Sequence, residues 1–400
     1  MATWRELFPH ATPTEWGDWR WQQRNALATA EELARVVRLT DEERRGLQLA
    51  QGRFRVAVTP YYASLMDPDH PSCPVRMQSI PSPRELVPGP GDLEDPLGEE
   101  SRRPVPAVVH RYRDRALFLV GDRCAVYCRH CTRRRLTLAG VDGFDRHAMD
   151  EGIAYVRQHP EVRDVIVSGG DPLVLSDARL EELLAGLRAI RHVEILRVAT
   201  RAPVTCPMRI TEALAAMLRR FAPLFAITNF NHPRECTPEA RQACERLVDH
   251  GVPVENQTVL LRGVNSSARI LLDLNQRLLT FRVRPYYLHQ GDLAAGTAHL
   301  RTPLEAGVAI LEQMRGRTSG LAIPHLAVDL PGGLGKVTLS PDYRIPPPAG
   351  DGDLAGTWFR SHRGEPSFYP EPPSGDCTCP YEEVYYAARA EPREGAPETA

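Results

Sequence analysis

The sequence predicts an α/β fold: a partial (βα)6, TIM-like barrel with an N-terminal helical region before it and a C-terminal extension after it. Two patterns carry this expectation. From residue 115 onward, short apolar runs alternate with helical stretches, the rhythm of a parallel sheet with right-handed crossovers. Six complete repeats occupy about 220 residues, short of the ~250 typical of a closed eight-stranded barrel, so an open or partial barrel is expected. Composition agrees: of 400 residues, 42% are hydrophobic and 25% charged, which excludes wholesale disorder.

Residues 1–105 read as helical and then irregular. Thr29-Ala-Glu-Glu32 and Thr40-Asp-Glu-Glu43 have capping-box form and open short helices. Seven prolines between 81 and 106 predict an extended, surface-hugging connector and no core element. The barrel is expected over 106–345, with strands at 116–120, 164–167, 193–199, 224–228, 254–260, 283–288 and 321–328. Between them, Leu180, Leu183, Leu184, Leu187 and Ile190 share one helical face. Thr237-Pro238 and Thr302-Pro303 read as helix starts, and Gly251 as a stop. Residues 346–400 form the extension, with Cys377 and Cys379 in a short segment and a tail from 391 of disordered composition.

A formal charge of −2 gives no bulk electrostatic reason to expect nucleic acid, and the run Arg133–Arg135 lacks interleaved aromatics. No stretch of eighteen apolar residues predicts a membrane span. The N-terminus lacks the basic-then-apolar pattern of a secretory signal, so a cytoplasmic enzyme is expected.

Two features point to chemistry. The first is that 48 of the 49 basic residues are arginine and one is lysine, Lys336. A guanidinium replaces an ammonium wherever charge suffices, but it cannot form a Schiff base. Lys336 follows Asp329-Leu-Pro-Gly-Gly-Leu-Gly, a glycine-rich turn that lets backbone N–H groups approach a phosphate, without the spacing of a nucleotide P-loop. A lysine holding pyridoxal 5′-phosphate (PLP) fits this setting.

The second is Cys124-Ala-Val-Tyr-Cys128-Arg-His-Cys131, directly after a strand, in a chain with nine cysteines. Structural zinc sites need four ligands, commonly in pairs, and no second pair is nearby. Three thiolates on a [4Fe-4S] cubane leave one iron open, as a catalytic metal site keeps one position vacant.

The spacing C-x3-C-x2-C resembles that of radical S-adenosylmethionine (SAM) enzymes, and Ser168-Gly169-Gly170-Asp171-Pro172 after the second strand is similar to their glycine motif. Further strings narrow the likeness: Trp16-Gly-Asp-Trp-Arg-Trp-Gln, Thr59-Pro-Tyr-Tyr62, His110-Arg-Tyr-Arg-Asp-Arg115, Tyr127-Cys-Arg-His-Cys-Thr-Arg-Arg-Arg135, Val259-Leu-Leu-Arg-Gly-Val-Asn265 and Arg284-Pro-Tyr-Tyr287. From about residue 16 to about residue 345 the chain resembles the lysine 2,3-aminomutase family. The resemblance implies migration of the amino group of L-lysine from C2 to C3, giving β-lysine. It places the Schiff-base lysine on Lys336 and the PLP-phosphate contacts on Arg111, Tyr112 and Arg115. The substrate carboxylate falls to Arg133, its terminal ammonium to Asp292 and Asp329, SAM contacts to the glycine motif and Gln257, and the cluster to Cys124, Cys128 and Cys131. It implies, too, an electron donor such as flavodoxin or ferredoxin, and a homo-oligomer.

The chain departs from the family at two places. A C-terminal zinc site is expected to be incomplete: Cys377 and Cys379 are present, Ser267 stands where another thiolate belongs, and Glu382 is the remaining oxygen donor. Asn229 stands where a histidine is expected near the adenosine site. The two acids argue against a glutamate-acting relative. Arginine as substrate, a protein-lysine β-lysine-forming role on a translation factor, and a non-enzymatic iron–sulfur regulator are the alternatives.

Overall fold

A computed structural model of the protein describes residues 3–138, 145–347 and 356–370. The chain divides into two compact units, Met1–Pro341 and Asp342–Ala400.

One nine-stranded sheet organises the first unit, its strands neighbouring one another in sequence order. They are β1 (Val108–Tyr112), β2 (Arg115–Leu119), β3 (Asp164–Ser168), β4 (Ile195–Ala199), β5 (Leu224–Thr228), β6 (Val254–Leu260), β7 (Val283–Gln290), β8 (His325–Leu330) and β9 (Gly335–Leu339). Strands β2 to β8 run parallel, while β1 and β9 lie antiparallel at the two edges. The result is an α/β partial barrel, open between β1 and β9. Alternation builds it: β6 buries every second residue from Val254 to Leu260. The helix Asp177–Arg188 buries Leu180, Leu183, Leu184 and Leu187 against that wall. Each such leucine stabilises the fold by roughly 1.5–3 kcal/mol.

The N-terminal helices join the same core, with Trp16, Leu33, Val58 and Tyr62 buried in it. Thr29 and Thr40 form the expected capping boxes with Glu32 and Glu43. Thr237 caps the helix Pro238–Asp249, and Gly251 follows it at φ 78°. In the second unit, β10 (Gly356–Arg360) and β11 (Pro366–Pro370) form a hairpin, with Trp358 5.4 Å from Phe368. No described helix is long and apolar enough to cross a membrane.

Four sequence expectations need correction. The sequence does not predict the edge strands β1 and β9, because Arg111, Tyr112, Lys336 and Thr338 give them polar residues lining the cavity instead of an apolar stripe. Lys336 therefore lies on a strand, just past the glycine turn. The strand expected at 321–328 begins at His325, since Gly320–Ala322 is a 3-10 turn capped by Ser319. The helix expected from Thr302 begins at Leu304, without a side-chain cap.

The proline-rich connector differs most. It is broken by two 3-10 turns, Pro83–Leu86 and Glu100–Arg102, and Glu85 and Glu99 are 4% and 3% exposed. Glu85 is clamped by Arg129 and Arg134, and Glu99 by Arg133 and Arg135. A buried carboxylate is tolerated when guanidinium forks satisfy it. The arginine run 133–135 thus straps the connector onto the barrel.

Candidate active site

The carboxyl ends of the strands open into a cavity of about 500 Å³. Its wall includes Arg111, Tyr112, Arg115, Arg133, Ser168, Gln257, Asp292, Asp329 and Lys336. Residues far apart in sequence are thus brought to one chamber.

Lys336 is placed by register. In the β8–β9 hairpin it lies directly opposite Asp329, so both side chains share the cavity face. The turn between them needs glycine: Gly332, Gly333 and Gly335 have φ of 70°, 74° and 100°. The Lys336 ammonium pairs with Asp329 Oδ2, lies 3.5 Å from His289 Nδ1 and sits 5.6 Å from the Tyr287 ring. The other Asp329 oxygen accepts from Arg111 at 2.6 Å. Burial pushes the Asp329 carboxyl up, but Lys336 and Arg111 outweigh it and hold the group below its ordinary value. His289 is driven down to about 3 by burial and by the Lys336 charge, so its ring is neutral.

Arg111 also donates to the Tyr112 hydroxyl at 2.8 Å, and Arg115 stacks over the Tyr112 ring at 4.2 Å. Among the described residues the one acidic partner of Arg115 is Asp114, at 3.9 Å. Two guanidiniums and a phenol beside a primary amine suit a phosphorylated aldehyde such as PLP.

Asp292 accepts a hydrogen bond from the Thr132 hydroxyl. Burial lifts its carboxyl to about 6, with Thr132 opposing and Asp329 adding to the rise. Arg133, next to Thr132, donates to Glu99 at 2.8 Å and lies 3.5 Å from Ser168 Oγ.

Cys124, Cys128 and Cys131 occupy the loop after β2, all unpaired and partly exposed. Burial pushes the Cys124 thiol well up, and Asp171, Cys131 and Cys128 add to it; Cys131 is raised by burial and by Cys128. Three thiolates that oppose one another's charge fit a polynuclear iron cluster, which neutralises them together. Among the described residues no three His, Cys, Asp or Glu side chains converge on a single-ion position.

Of the glycine motif, Ser168 reaches the cavity wall. A Cβ on Gly169 would stand 2.7 Å from the Gly121 carbonyl oxygen, and one on Gly170 2.2 Å from that of Arg123. The glycines therefore brace the cysteine loop, aided by Gly170 N–H to Gly121 (2.6 Å) and Asp171 N–H to Arg123 (2.8 Å). Asp171 is buried, and its carboxylate accepts from Thr200 Oγ1 at 2.7 Å and from the Arg201 and Leu173 amides. Gln257 lines the cavity beside Asn229, whose amide donates to the Gln257 carbonyl. A bulge in the β6–β7 pairing, between Asn256 and Gln257, leaves Tyr286 unopposed, so both Tyr286 and Tyr287 line the wall.

Sequence reasoning missed Thr132, His289, Glu99 and Arg201. Only their adjacency to singled-out residues could have signalled the first two, and the unmatched acids of the connector the third. Ser267 is the residue before the helix Ala268–Thr280. Cys377, Cys379 and Glu382 lie outside the described residues.

A radical SAM superfamily model matches residues 118–274, and a lysine-2,3-aminomutase model matches residues 311–391. The chain is 48% identical over 340 residues to the L-lysine 2,3-aminomutase of Clostridium subterminale, covering 85% of this chain and 82% of that protein. It is 45% identical over 367 residues to that of Bacillus subtilis, covering 92% and 77%. It is also 42% identical over 337 residues to the glutamate 2,3-aminomutase of Clostridioides difficile, covering 84% and 79%.

Proposed function

From the premise that this chain belongs to the lysine 2,3-aminomutase family of radical SAM enzymes, we propose that it moves the amino group of L-lysine from C2 to C3, using PLP held by Lys336. It is an isomerase; which amino acid it takes is decided by the acids in the cavity. Likeness favours lysine, at 48% identity to a lysine 2,3-aminomutase against 42% to a glutamate 2,3-aminomutase. The Asp292–Asp329 pair supports the same reading from the site itself.

Asp329 already holds one primary ammonium, that of Lys336. If that amine were drawn away to hold the cofactor, Oδ2 would face the ammonium of a substrate, with Asp292 as second carboxylate. Two acids offset the desolvation of one buried cation. A glutamate side chain would place a third anion there. Arg133, whose Nε and Nη2 hold Glu99, offers the substrate α-carboxylate its Nη1. Arg111, Tyr112 and Arg115 hold the phosphate, leaving Lys336 to fix the ring. Cys124, Cys128 and Cys131 hold the cluster, while Ser168, Gly169, Gly170, Asp171 and Gln257 shape the SAM site. When bound, the cluster and SAM supply the abstracting radical, and PLP supplies a π-system that delocalises the migrating one. Leu97 and Glu99 of the strap and the paired tyrosines line that chamber. A low-potential electron donor such as flavodoxin or ferredoxin, a cytoplasmic location and a homo-oligomer belong to this reading.

The test is anaerobic incubation of the reduced, iron-reconstituted protein with SAM, PLP and L-lysine, L-arginine or L-glutamate. β-Lysine is the expected product. Turnover of arginine or glutamate alone, or of none, overturns the assignment.

A further inference from the structure

Arg201 touches a proposed cluster ligand without lining the cavity. It follows β4, and its guanidinium is fixed at every nitrogen. Nε donates to the Asn229 carbonyl at 3.1 Å, and Nη2 to Gln78 Oε1 at 2.6 Å, Glu235 Oε1 at 2.8 Å and the Tyr62 hydroxyl at 3.1 Å. Nη1 points at Cys128 Sγ, 2.8 Å away. Its backbone amide is anchored on Asp171 at 2.8 Å. Four separate segments thus aim one N–H at one sulfur and prevent it from turning away.

The surrounding cations are otherwise engaged. Arg129 and Arg134 share Glu85, and Arg133 and Arg135 share Glu99. Glu235 balances Arg201, yet it is also tied to Tyr62, Gln78 and the Asn231 amide. Hydrogen bonds and positive charge at cluster sulfurs stabilise the form carrying the extra electron. We propose that Arg201 is a positioning residue that raises the reduction potential of the cluster by holding a charged N–H donor against the Cys128 sulfur; this rests on the cysteine triplet binding a cluster.

Iron and sulfide analysis of the reconstituted full chain comes first: a wild-type protein without a cubane defeats the triplet reading and the proposal with it, whereas a cubane whose midpoint ignores Arg201 defeats the proposal alone. An EPR-monitored titration with dithionite as one-electron donor then reads the midpoint. Arg201→Gln is expected to lower the reduction equilibrium at least tenfold, 59 mV for one electron. Arg201→Lys should recover part of that loss. Glu235→Gln removes the counter-charge and is expected to shift the midpoint the other way. If Arg201→Gln takes up no iron, Glu235→Gln decides by the sign of its shift. An Arg201→Gln reduction equilibrium less than tenfold below wild type, a negative midpoint shift in Glu235→Gln, or loss of iron from both variants at unchanged circular dichroism overturns the proposal.

Discussion

Asp292 gives the proposed substrate its sharpest test, through pH. Its carboxyl sits at about 6 because it is buried beside Asp329, while Asp329 is held below the ordinary carboxylate range. The ε-ammonium of lysine stays protonated from pH 5 to 8. Binding that cation requires the ionised carboxylate, so Asp292 is the group that titrates in this window. Above pH 7 it is ionised and affinity is full. Below 6 each further pH unit costs about 1.4 kcal/mol, a tenfold loss in kcat/KM for lysine. Removing the charge outright, in Asp292→Asn, leaves a buried ammonium short of a partner, at a cost of about 2–5 kcal/mol, roughly thirtyfold to several thousandfold. The variant should also lose the acid limb. The assay is anaerobic initial rates against lysine concentration from pH 5 to 8. A flat profile through pH 6, or Asp292→Asn within threefold of wild type, would refute the role given to this residue.

Three further outcomes follow from the geometry. Borohydride reduction of the PLP-loaded protein should add one cofactor mass on the peptide holding Lys336, and Lys336→Ala should show none by intact-mass spectrometry. Gly170→Ala places a methyl 2.2 Å from the Arg123 carbonyl oxygen, where backbone must move; stability should fall by about 1–3 kcal/mol in denaturant titration, with iron loading reduced. Glu85→Gln leaves Arg129 and Arg134 without their shared carboxylate, and a loss of about 3–5 kcal/mol is expected in the same titration, against near-zero if the connector merely covers the surface.

Much of this site could be read from composition and spacing. A solitary lysine among 48 arginines and three cysteines in eight positions are chemical oddities that survive without coordinates. The parallel strands are equally legible, because β3 to β5 are largely apolar runs and β6 alternates buried with half-buried positions. What stayed hidden depends on distance in space. Strands β1 and β9 carry polar residues facing a cavity, so their periodicity vanishes in the sequence. The strap hid because its prolines were visible, while the partners of Glu85 and Glu99 lie some 35 to 50 residues away. Arg201 is one arginine among 48 in the sequence, and only the fold sets it beside Cys128. The glycine motif was read for a ligand; its conformational demand comes from the neighbouring backbone.

Pleating gives the ε-amine a parity. Lys336 and Thr338 both reach the chamber, whereas Val337 between them is 40% exposed. An amine transplanted to 337 would therefore stand outdoors, stranded from Asp329, while one at 338 would return indoors about 7 Å further along. Distance along the chain is a poor guide to what this hairpin tolerates: a neighbour's address is worse than that of the next one over.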